Sequence, residues 1–251
     1  MPHTITIAVA AYNEQEMVLH TIEEILAALE GLQLHADILI VDDASRDGTA
    51  AFCLQAQQKS PRVRVYRNPT NRGFGGSHFR GAELATTDWY MMLPGDNGFE
   101  RESIRKLLSH IGEAEMIIPY TTNPQIRTWD RRLLSRGFVA IVNAITGHRL
   151  RYYNGPVIHR TANLLLPELA GVTSSFAFQA ETICTLLDRG ASFMEVGVDI
   201  QEHPSRRSNA LRWKNIIGVT KTLATLLRRR LGLGRRVVPS GLNALDGAGA
   251  P

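Results

Sequence analysis

The residues of this sequence that could do chemistry stand directly after apolar, strand-like runs. They combine carboxylate, amide and guanidinium side chains with glycines, which suits a ligand carrying both hydroxyl and phosphate groups. Carboxylates accept hydrogen bonds from nucleobase N–H groups and ribose hydroxyls, and glycines let backbone N–H groups approach a phosphate. These residues are Asn13, Glu14, Asp42, Asp43, Arg72, Gly73, Gly75, Gly76, Asp96 and Asn97.

Asp96 is the candidate ligand for a divalent cation. It follows the apolar run at 89–93, and its carboxylate could hold a Mg²⁺ or Mn²⁺ ion that bridges two phosphates, because such hard ions prefer oxygen ligands. Asn97 could add a second oxygen. Each motif also has a plain structural interpretation as a cap, a loop or a tight turn, and their common position is what favours a ligand site.

The elements that position these residues alternate between strands and helices. Such alternation predicts an α/β fold with a mostly parallel sheet and helices on both faces. In these sheets ligands bind beyond the carboxyl ends of the strands, which is where the polar motifs fall. Asn13 and Glu16 are a possible cap pair for the first helix. The predicted strands are 5–11, 37–41, 62–66, 89–93, 115–120 and 192–200. A glycine-rich turn at 71–76 is predicted to lead into a helix that ends at 85, and the later predicted helices are 100–111, 129–146, 176–189 and 211–231.

Composition predicts one large domain, or one domain with a small appendage, since 44% of the 251 residues are hydrophobic. Cys53 and Cys184 lack CxxC spacing, which favours buried, reduced thiols. No signal-peptide pattern precedes the first strand, and the apolar stretch at 216–227 is interrupted by Lys221 and shorter than the roughly 20 residues of a spanning helix. We therefore expect a cytoplasmic protein, either free or peripheral on the inner face of the cell membrane.

Positive charge is concentrated near the C-terminal end. The segment 203–245 holds ten of the 28 Lys and Arg residues and none of the 24 acids. It includes a predicted basic amphipathic helix, whose apolar side could lie in an anionic membrane interface or pack on the protein core. We expect a main domain at 1–210, a helical extension at 211–238 and a disordered tail at 239–251. Nucleic-acid binding is not expected, because aromatic residues other than Trp213 do not interleave with the bases.

Four segments carry a family resemblance that spans about residues 4–215. They are IAVAAYNEQEMV, ILIVDDASRDGTA, NPTNRGFGGSHFRGAELATTDWYMMLPGDNGF and FAFQAETICTLLDRGASFMEVGV. They resemble successive blocks of the family 2 glycosyltransferases with the GT-A fold, nearest the dolichyl- or undecaprenyl-phosphate sugar transferases. The Asp-Asp-x-Ser-x-Asp-Gly-Thr block at 42–49 is strongly diagnostic of that family.

The resemblance implies a nucleotide pocket at the first two blocks. Ala11, Tyr12 and Glu14 would line the pocket, and Asp43, together with Asp42, would hold the base or the ribose. The donor would be a nucleotide diphosphate sugar. The sequence does not indicate which nucleotide or which sugar, nor the oligomeric state.

The resemblance also implies a metal motif with one departure. Asp96 matches the second acid of the family's Asp-x-Asp motif, but Pro94 stands at the first acid. A Mg²⁺ or Mn²⁺ cofactor is therefore expected at a site with one carboxylate, where Asn97 and the phosphate oxygens complete the ligands.

The later blocks match with further departures. Glu181 falls on the acidic helix position near the acceptor, although an acid at a helix start is also stabilised by the helix dipole. The segment 202–209 resembles an Arg-x-x-Gly-x-Ser-Lys loop in which Ser208 is retained. Arg206 and Arg207 could supply the displaced positive charge, or could be solvated tail charges.

The acceptor decides whether a base is needed. A lipid phosphate arrives largely as a dianion and needs no base, whereas a sugar hydroxyl needs a carboxylate, for which Glu181 is the candidate. Three functions stay open. They are an inverting transferase acting on a polyprenyl phosphate at the cytosolic membrane face, a soluble transferase acting on a hydroxyl of a glycan or small metabolite, and an inactive sugar-nucleotide-binding protein suggested by Pro94.

Overall fold

A seven-stranded sheet flanked by helices forms the core of the chain. The computed structural model describes residues 2–172, 177–201 and 213–233, with the backbone alone at 213–216. The strands are β1 (His3–Ala11), β2 (Leu34–Asp42), β3 (Val63–Arg67), β4 (Trp89–Pro94), β5 (Met116–Thr121), β6 (Ile158–Arg160) and β7 (Phe193–Val198). The helices are α1 (Val18–Leu29), α2 (Thr49–Lys59), α3 (Gly73–Leu84), α4 (Arg101–Leu108), α5 (Trp129–Thr146), α6 (Thr161–Leu164), α7 (Phe178–Asp188) and α8 (Trp213–Arg230), with 3-10 turns at Pro124–Ile126 and Pro167–Leu169.

The sheet has the order β3-β2-β1-β4-β6-β5-β7 and is mostly parallel. Strands β1 to β4 run in one direction, and β5 pairs in parallel with β7. Strand β6 is antiparallel to both β4 and β5, so these two also share a direction. The predicted α/β fold with a mostly parallel sheet is confirmed.

Alternate side chains of the central strands fill two cores on opposite faces of the sheet. Ile7 and Met91 belong to the core under α1, α2 and α4, whereas Ala8, Tyr90 and Met92 face α3 and α6. Because both faces are covered, these strands read as continuous apolar runs. Burying each large apolar side chain contributes about 1.5–3 kcal/mol.

The structure contains short elements that were not predicted, namely β6, α6 and the two 3-10 turns, and it also differs at the start of α1. Strand β6 was not predicted, because three residues are too few to show a period of two. The predicted cap pair of Asn13 and Glu16 is wrong, since α1 begins at Val18 and the preceding Met17 makes no side-chain cap. Asn13 Oδ1 instead accepts a hydrogen bond from the N–H of Arg46, in the loop after β2.

Helix α8 lies in the predicted C-terminal helical segment and packs on α5 and α7. Leu223 and Leu226 join the core that also contains Val142 of α5 and Ile183 of α7. The side chains along this face therefore pack on the protein. The predicted boundary at 210/211 and the tail at 239–251 lie outside the described residues, so the domain division stays a prediction. None of the described helices has the length and apolarity needed to cross a bilayer.

Both cysteines are free and buried, as expected. Burial raises the pKa of Cys53 to about 12 and also raises the pKa of Cys184. Thiols of this kind are unreactive near neutral pH, because the thiolate is the reactive form.

Two histidines are buried against each other on the α3 side of the sheet. His78 of α3 and His159 of β6 have ring centroids 6.2 Å apart, and the ring of Phe178 lies 4.8 Å from that of His78. Burial lowers the pKa of His159 to about 3. Burial and the neighbouring His159 lower the pKa of His78 well below its usual value. Both rings are therefore neutral in the folded protein at pH 7.

We expect these histidines to make the fold sensitive to mild acid. The unfolded chain takes up their protons near pH 6.5, so the free energy of unfolding is unaffected above that pH. It falls as the pH drops below about 6.5, by up to about 1.4 kcal/mol per pH unit for each histidine. His159→Gln should flatten this dependence between about pH 6.5 and 5 in urea denaturation curves. The exposed His20 provides the control variant His20→Gln, which should keep the pH dependence of the wild type. If the free energy of unfolding of His159→Gln fell with acid as steeply as that of the wild type, the neutral, buried state of His159 would be contradicted.

Candidate functional site

The loops after β1, β2 and β4 meet at one edge of the sheet. The register pairs Ala11 with Asp42 and Ala10 with Pro94, so these three strands end at the same level. The backbone continues the match, since Asp43 N donates to Ala11 O at 2.8 Å and Gly95 N donates to Ala10 O at 2.8 Å. The parallel topology therefore places the polar motifs after these strands beside one another.

Each of these three loops contains a non-glycine residue in the left-handed region. Asn13, Ala44 and Asn97 have φ values of 56°, 60° and 52°. This conformation costs about 1–2 kcal/mol for an L-residue, and such strain is concentrated at functional sites. Surrounding contacts hold two of them, because Ser45 Oγ accepts from Asn13 N and Thr21 Oγ1 accepts from Asn97 N.

Asp43 connects the end of β2 to the start of α3. Its Oδ1 accepts from Arg72 N and from Asn68 Nδ2, both at 2.8 Å, and its Oδ2 accepts from Gly73 N at 2.8 Å. Gly73 adopts a φ of 74°, which a glycine reaches without strain. The carboxylate, only 4% exposed, therefore satisfies backbone donors that a helix start leaves open.

This arrangement changes the picture of the glycine-rich turn. The N–H of Gly73, which we expected to face a phosphate, is bound to Asp43, and Gly75 is buried in the first turn of α3. The phosphate contacts of Gly73 and Gly75 stay predictions. The exposed side chain of Arg72 is the charged group of this turn.

Asp42 points into the protein, and its contacts are structural. It is 1% exposed, its Oδ1 accepts from Ser45 N at 2.9 Å, and its Oδ2 lies 3.4 Å from Arg67 Nε. Arg67 also donates to Ser45 O. Sequence reasoning missed Arg67, although it ends β3 and pairs in register with Asp42. The expected contact of Asp42 with a base or ribose stays a prediction. In this geometry the Asp42 side chain stabilises the turn after β2.

The Asp-Gly-Thr end of the diagnostic block fastens the first two loops together. Thr49 Oγ1 accepts from Glu14 N at 2.7 Å and donates to Asp47 Oδ1. Gly48 N donates to Gln15 Oε1 at 2.8 Å. The Glu14 carbonyl in turn accepts from the N–H groups of Met17 and Val18, at the start of α1. Sequence reasoning had given this triplet only a helix start.

Tyr12 is the exposed aromatic residue at this edge, and Ala11 beside it is buried. The ring of Tyr12 is 42% exposed, so it can stack on a nucleobase. Ala11 is 1% exposed and contributes its carbonyl to Asp43 N. The pocket contacts of Ala11, Tyr12 and Glu14 stay predictions.

Asp96 is half-buried in a tight turn after β4. Its Oδ1 accepts from Gly98 N at 3.2 Å. Gly95 precedes it, where an added Cβ would lie 3.1 Å from Ala10 O, so only glycine fits without adjustment. The described residues contain no cluster of three His, Cys, Asp or Glu side chains able to hold a metal ion. One carboxylate still suits Mg²⁺, which keeps several waters and takes further oxygens from substrate phosphates.

Glu181 lies in α7 beneath helix α8. It is 5% exposed, and its Oε1 accepts from Arg229 Nη2 at 3.0 Å. Arg229 also donates to Thr185 Oγ1, one turn further along α7. Sequence reasoning had counted Arg229 only among the tail charges. The other candidates near the C-terminal end, Arg206, Arg207 and Ser208, lie outside the described residues.

An open cleft of about 680 Å³ adjoins the start of α3. Its walls are one face of α3 and the segment after α6. Arg72 stands at the end of α3 that Asp43 caps, so the cleft opens beside the candidate site. Its lining residues are Arg72, Gly76, Phe79, Glu83, Leu164, Leu165, Leu166, Pro167, Leu169, Ala170, Gly171 and Val172.

Comparison with known proteins identifies the family of this chain. The model of glycosyl transferase family 2 matches residues 6–171, about two thirds of the sequence. The chain belongs to this family. The resemblance carried by the Asp-Asp-x-Ser-x-Asp-Gly-Thr block and its neighbouring segments is thereby confirmed.

Curated relatives are distant and differ in how much of their length is matched. The succinoglycan biosynthesis protein ExoO of Rhizobium meliloti (strain 1021) is 29% identical over 177 residues, which are 70% of this chain and 44% of ExoO. An undecaprenyl-phosphate 4-deoxy-4-formamido-L-arabinose transferase of Enterobacter sp. (strain 638) is 27% identical over 60% of this chain and 46% of its own. The chain thus spans about half the length of these two relatives. The undecaprenyl-phosphate mannosyltransferase of Micrococcus luteus is 25% identical over 90% of this chain and 98% of its own.

Solved structures confirm the GT-A fold. Glucosyl-3-phosphoglycerate synthase from Mycobacterium tuberculosis in complex with UDP superimposes with a TM-score of 0.65 at 16% identity, covering 93% of this chain and 82% of the synthase. The same synthase with Mn²⁺, UDP-glucose and phosphoglyceric acid gives a TM-score of 0.64 at 14% identity, covering 96% and 88%.

We expect Asp43→Asn to loosen the start of α3. An amide has one acceptor oxygen, so its NH₂ group would face the N–H of Gly73 or of Arg72. The free energy of unfolding should fall by about 1–2 kcal/mol in urea denaturation. Asp88→Asn, at an exposed position just before β4 at the opposite edge of the sheet, is the matched control. Equal stability of Asp43→Asn and the wild type would show that the cap contributes nothing.

Proposed function

We propose that this chain transfers a sugar, with inversion, from a nucleotide diphosphate sugar to a polyprenyl phosphate at the cytosolic face of a membrane. Family membership supports the sugar transfer, and the Micrococcus luteus relative, matched over nearly its whole length, supports the acceptor. The observation that carries the choice of acceptor is the burial of Glu181 against Arg229.

The donor would lie across the edge formed by the ends of β1, β2 and β4. Tyr12 offers a flat face to the base. Asp43 is fixed by three hydrogen bonds and gives the site a rigid carboxylate that can accept hydrogen bonds from the donor. Arg72 projects at the start of α3 and supplies positive charge toward the diphosphate. The fold holds these groups before the donor arrives, so little ordering is needed on binding.

Asp96 would hold a Mg²⁺ or Mn²⁺ ion together with the diphosphate oxygens. The Mycobacterium tuberculosis synthase binds Mn²⁺ with UDP-glucose, which supports this cofactor for the fold. The ion would neutralise charge that develops on the departing diphosphate. The chain itself fixes the Asp96 carboxylate through the Gly98 N–H and the close contact of Gly95 with β1.

The acceptor is a group that attacks without a protein base. A base must come within hydrogen-bond reach of the proton it removes, and the Glu181 carboxylate is covered by Arg229. A phosphate monoester is largely dianionic at pH 7 and carries no proton on its attacking oxygen. That oxygen forms a bond to the anomeric carbon on the face opposite the diphosphate, and the electron pair of the breaking C–O bond leaves with the nucleoside diphosphate.

We expect Asp96→Asn to lose transfer while keeping the fold. The amide oxygen can still accept from Gly98 N, but it carries no charge for the ion. Turnover of the nucleotide sugar should fall by at least about 100-fold. Thermal-shift screening with UDP-, GDP- and TDP-sugars should show a metal-dependent stabilisation in the wild type that Asp96→Asn lacks.

Asp88→Asn serves as the control for the charge change in Asp96→Asn. A wild-type protein that binds a nucleotide sugar without turning it over in the presence of Mg²⁺ or Mn²⁺ would favour the inactive binding protein. Full activity of Asp96→Asn would remove Asp96 from the site.

We expect Glu181→Gln to affect stability more than transfer. Loss of the buried charge opposite Arg229 should lower the free energy of unfolding by about 1–3 kcal/mol. The rate of transfer to a polyprenyl phosphate should change by less than about tenfold, because no proton has to be removed. Glu168→Gln, which breaks the ion pair with Arg189, is the matched control. A loss of about 100-fold or more that high pH reverses would instead indicate a base and a hydroxyl acceptor.

A further inference from the structure

The exposed apolar side chains of this protein are concentrated on two packed helices. Among the described residues, thirteen large apolar side chains are exposed, and nine of them lie on α5, on α8 or on the short turns next to these helices. Trp129 is 71% exposed and Leu133 is 62% exposed, values that are costly in water without a partner. The nine are Ile126, Trp129, Leu133, Leu134, Ile141, Ile217, Leu227, Leu231 and Leu233.

Helix α5 is apolar on its outer side as well as on its inner side. Val142 is buried, and Phe138 packs against the same core, so the inner face is anchored. The outer face carries exposed residues at spacings of three and four positions, as neighbours on one side of a helix are. A surface helix of a globular protein normally presents polar residues there. We name this outer face the α5 strip. Arg136 is exposed within it, and its exposed apolar or small members are Trp129, Leu133, Leu134, Gly137, Ala140, Ile141 and Ala144.

Positive charges outnumber negative charges around the α5 strip. Helix α5 carries Arg131, Arg132 and Arg136 and a single acid, Asp130, in its first turn. Helix α8 contains no acid, and its outward bases include Lys221 and Arg228. An apolar face bordered by bases matches an anionic lipid surface, where each base contributes on the order of 1 kcal/mol.

The sheet topology places the start of the α5 strip beside the candidate site. Strand β6 is antiparallel to both β4 and β5, so β4 and β5 end at the same edge. The chain leaves β5 at Thr121 and enters α5 at Trp129 after one short turn. At this edge Gln201 N also donates to Gly98 O, which links the segment after β7 to the turn that contains Asp96.

We propose that the α5 strip, with the exposed residues of α8, lies on an anionic lipid bilayer and brings the candidate site to its surface. This inference rests on the proposed function, since it names how the chain reaches a lipid acceptor. The side of α8 that holds Leu223 and Leu226 packs on the core and is not available to a membrane. The proposed membrane contact is instead made by the outward faces of α5 and α8.

Flotation with vesicles tests the surface. The wild type should float with vesicles of phosphatidylcholine and phosphatidylglycerol in equal parts, and less with phosphatidylcholine alone or at high salt. The double variant Leu133→Glu with Leu134→Glu should lower vesicle binding by at least about tenfold, because two apolar contacts are replaced by charges that anionic lipid repels. Leu54→Glu, at a similarly exposed leucine of α2, should bind like the wild type.

Two further measurements separate the possible outcomes. Transfer to a short-chain, water-soluble isoprenyl phosphate should be the same in the double variant and the wild type, whereas transfer to a long-chain acceptor in vesicles should fall in the double variant. If the wild type transfers to neither acceptor but floats normally, the proposed function fails and the lipid surface stands. The proposal that the α5 strip binds lipid is overturned if the wild type does not float, or if the double variant floats as well as the wild type. It is also overturned if light scattering shows that the double mutation converts a dimer to a monomer without changing flotation.

Discussion

The carboxylate of Asp43 is the contact on which the site depends. It lies at the end of β2 and receives the N–H groups of Arg72 and Gly73 and the amide of Asn68, so one side chain sets the angle between a central strand and α3. The position of the Arg72 side chain follows from that angle. Such a bond network in a nearly dry environment is strong when every donor is satisfied and costly when one is not. The strict form of the diagnostic block thus has a structural reason as well as a chemical one.

Much of the fold could be predicted from the sequence because its signals are local. The apolar run that became β1 and the helical spacing of α5 depend on neighbours in the chain, and α5 was predicted to the residue. Strand β6 is too short to show a period, and it pairs with β4 and β5, which lie far from it in the sequence. Contacts of this kind depend on partners that are far away in the sequence. A short stretch of sequence does not contain those partners, so it cannot predict the contact.

The candidate site divides in the same way. The sequence indicates which residue types stand at strand ends, so the positions of Asp43 and Asp96 could be predicted. It does not indicate whether a carboxylate faces a ligand or the backbone, since that depends on which donors the fold brings near. Asp42 was therefore grouped with Asp43, although its partners are Ser45 and Arg67. The pairing of Glu181 with Arg229 joins residues 48 positions apart and could not be read from either segment.

The antiparallel strand β6 also has a consequence for how the two halves of the described sheet are coupled. In the sheet, β6 joins β1–β4, whose ends carry the predicted donor contacts, to β5 and β7. Strand β5 packs on the core shared by α5, α7 and α8, whereas β7 packs on α4. Strand β6 meets β4 at only two residue pairs, Trp89 with Arg160 and Tyr90 with His159. The second half is therefore joined to the first less by backbone pairing than by side-chain packing, since Val196 and Val198 of β7 lie in the same core as Ile7 of β1. A substitution in that shared core would be felt on both sides of β6.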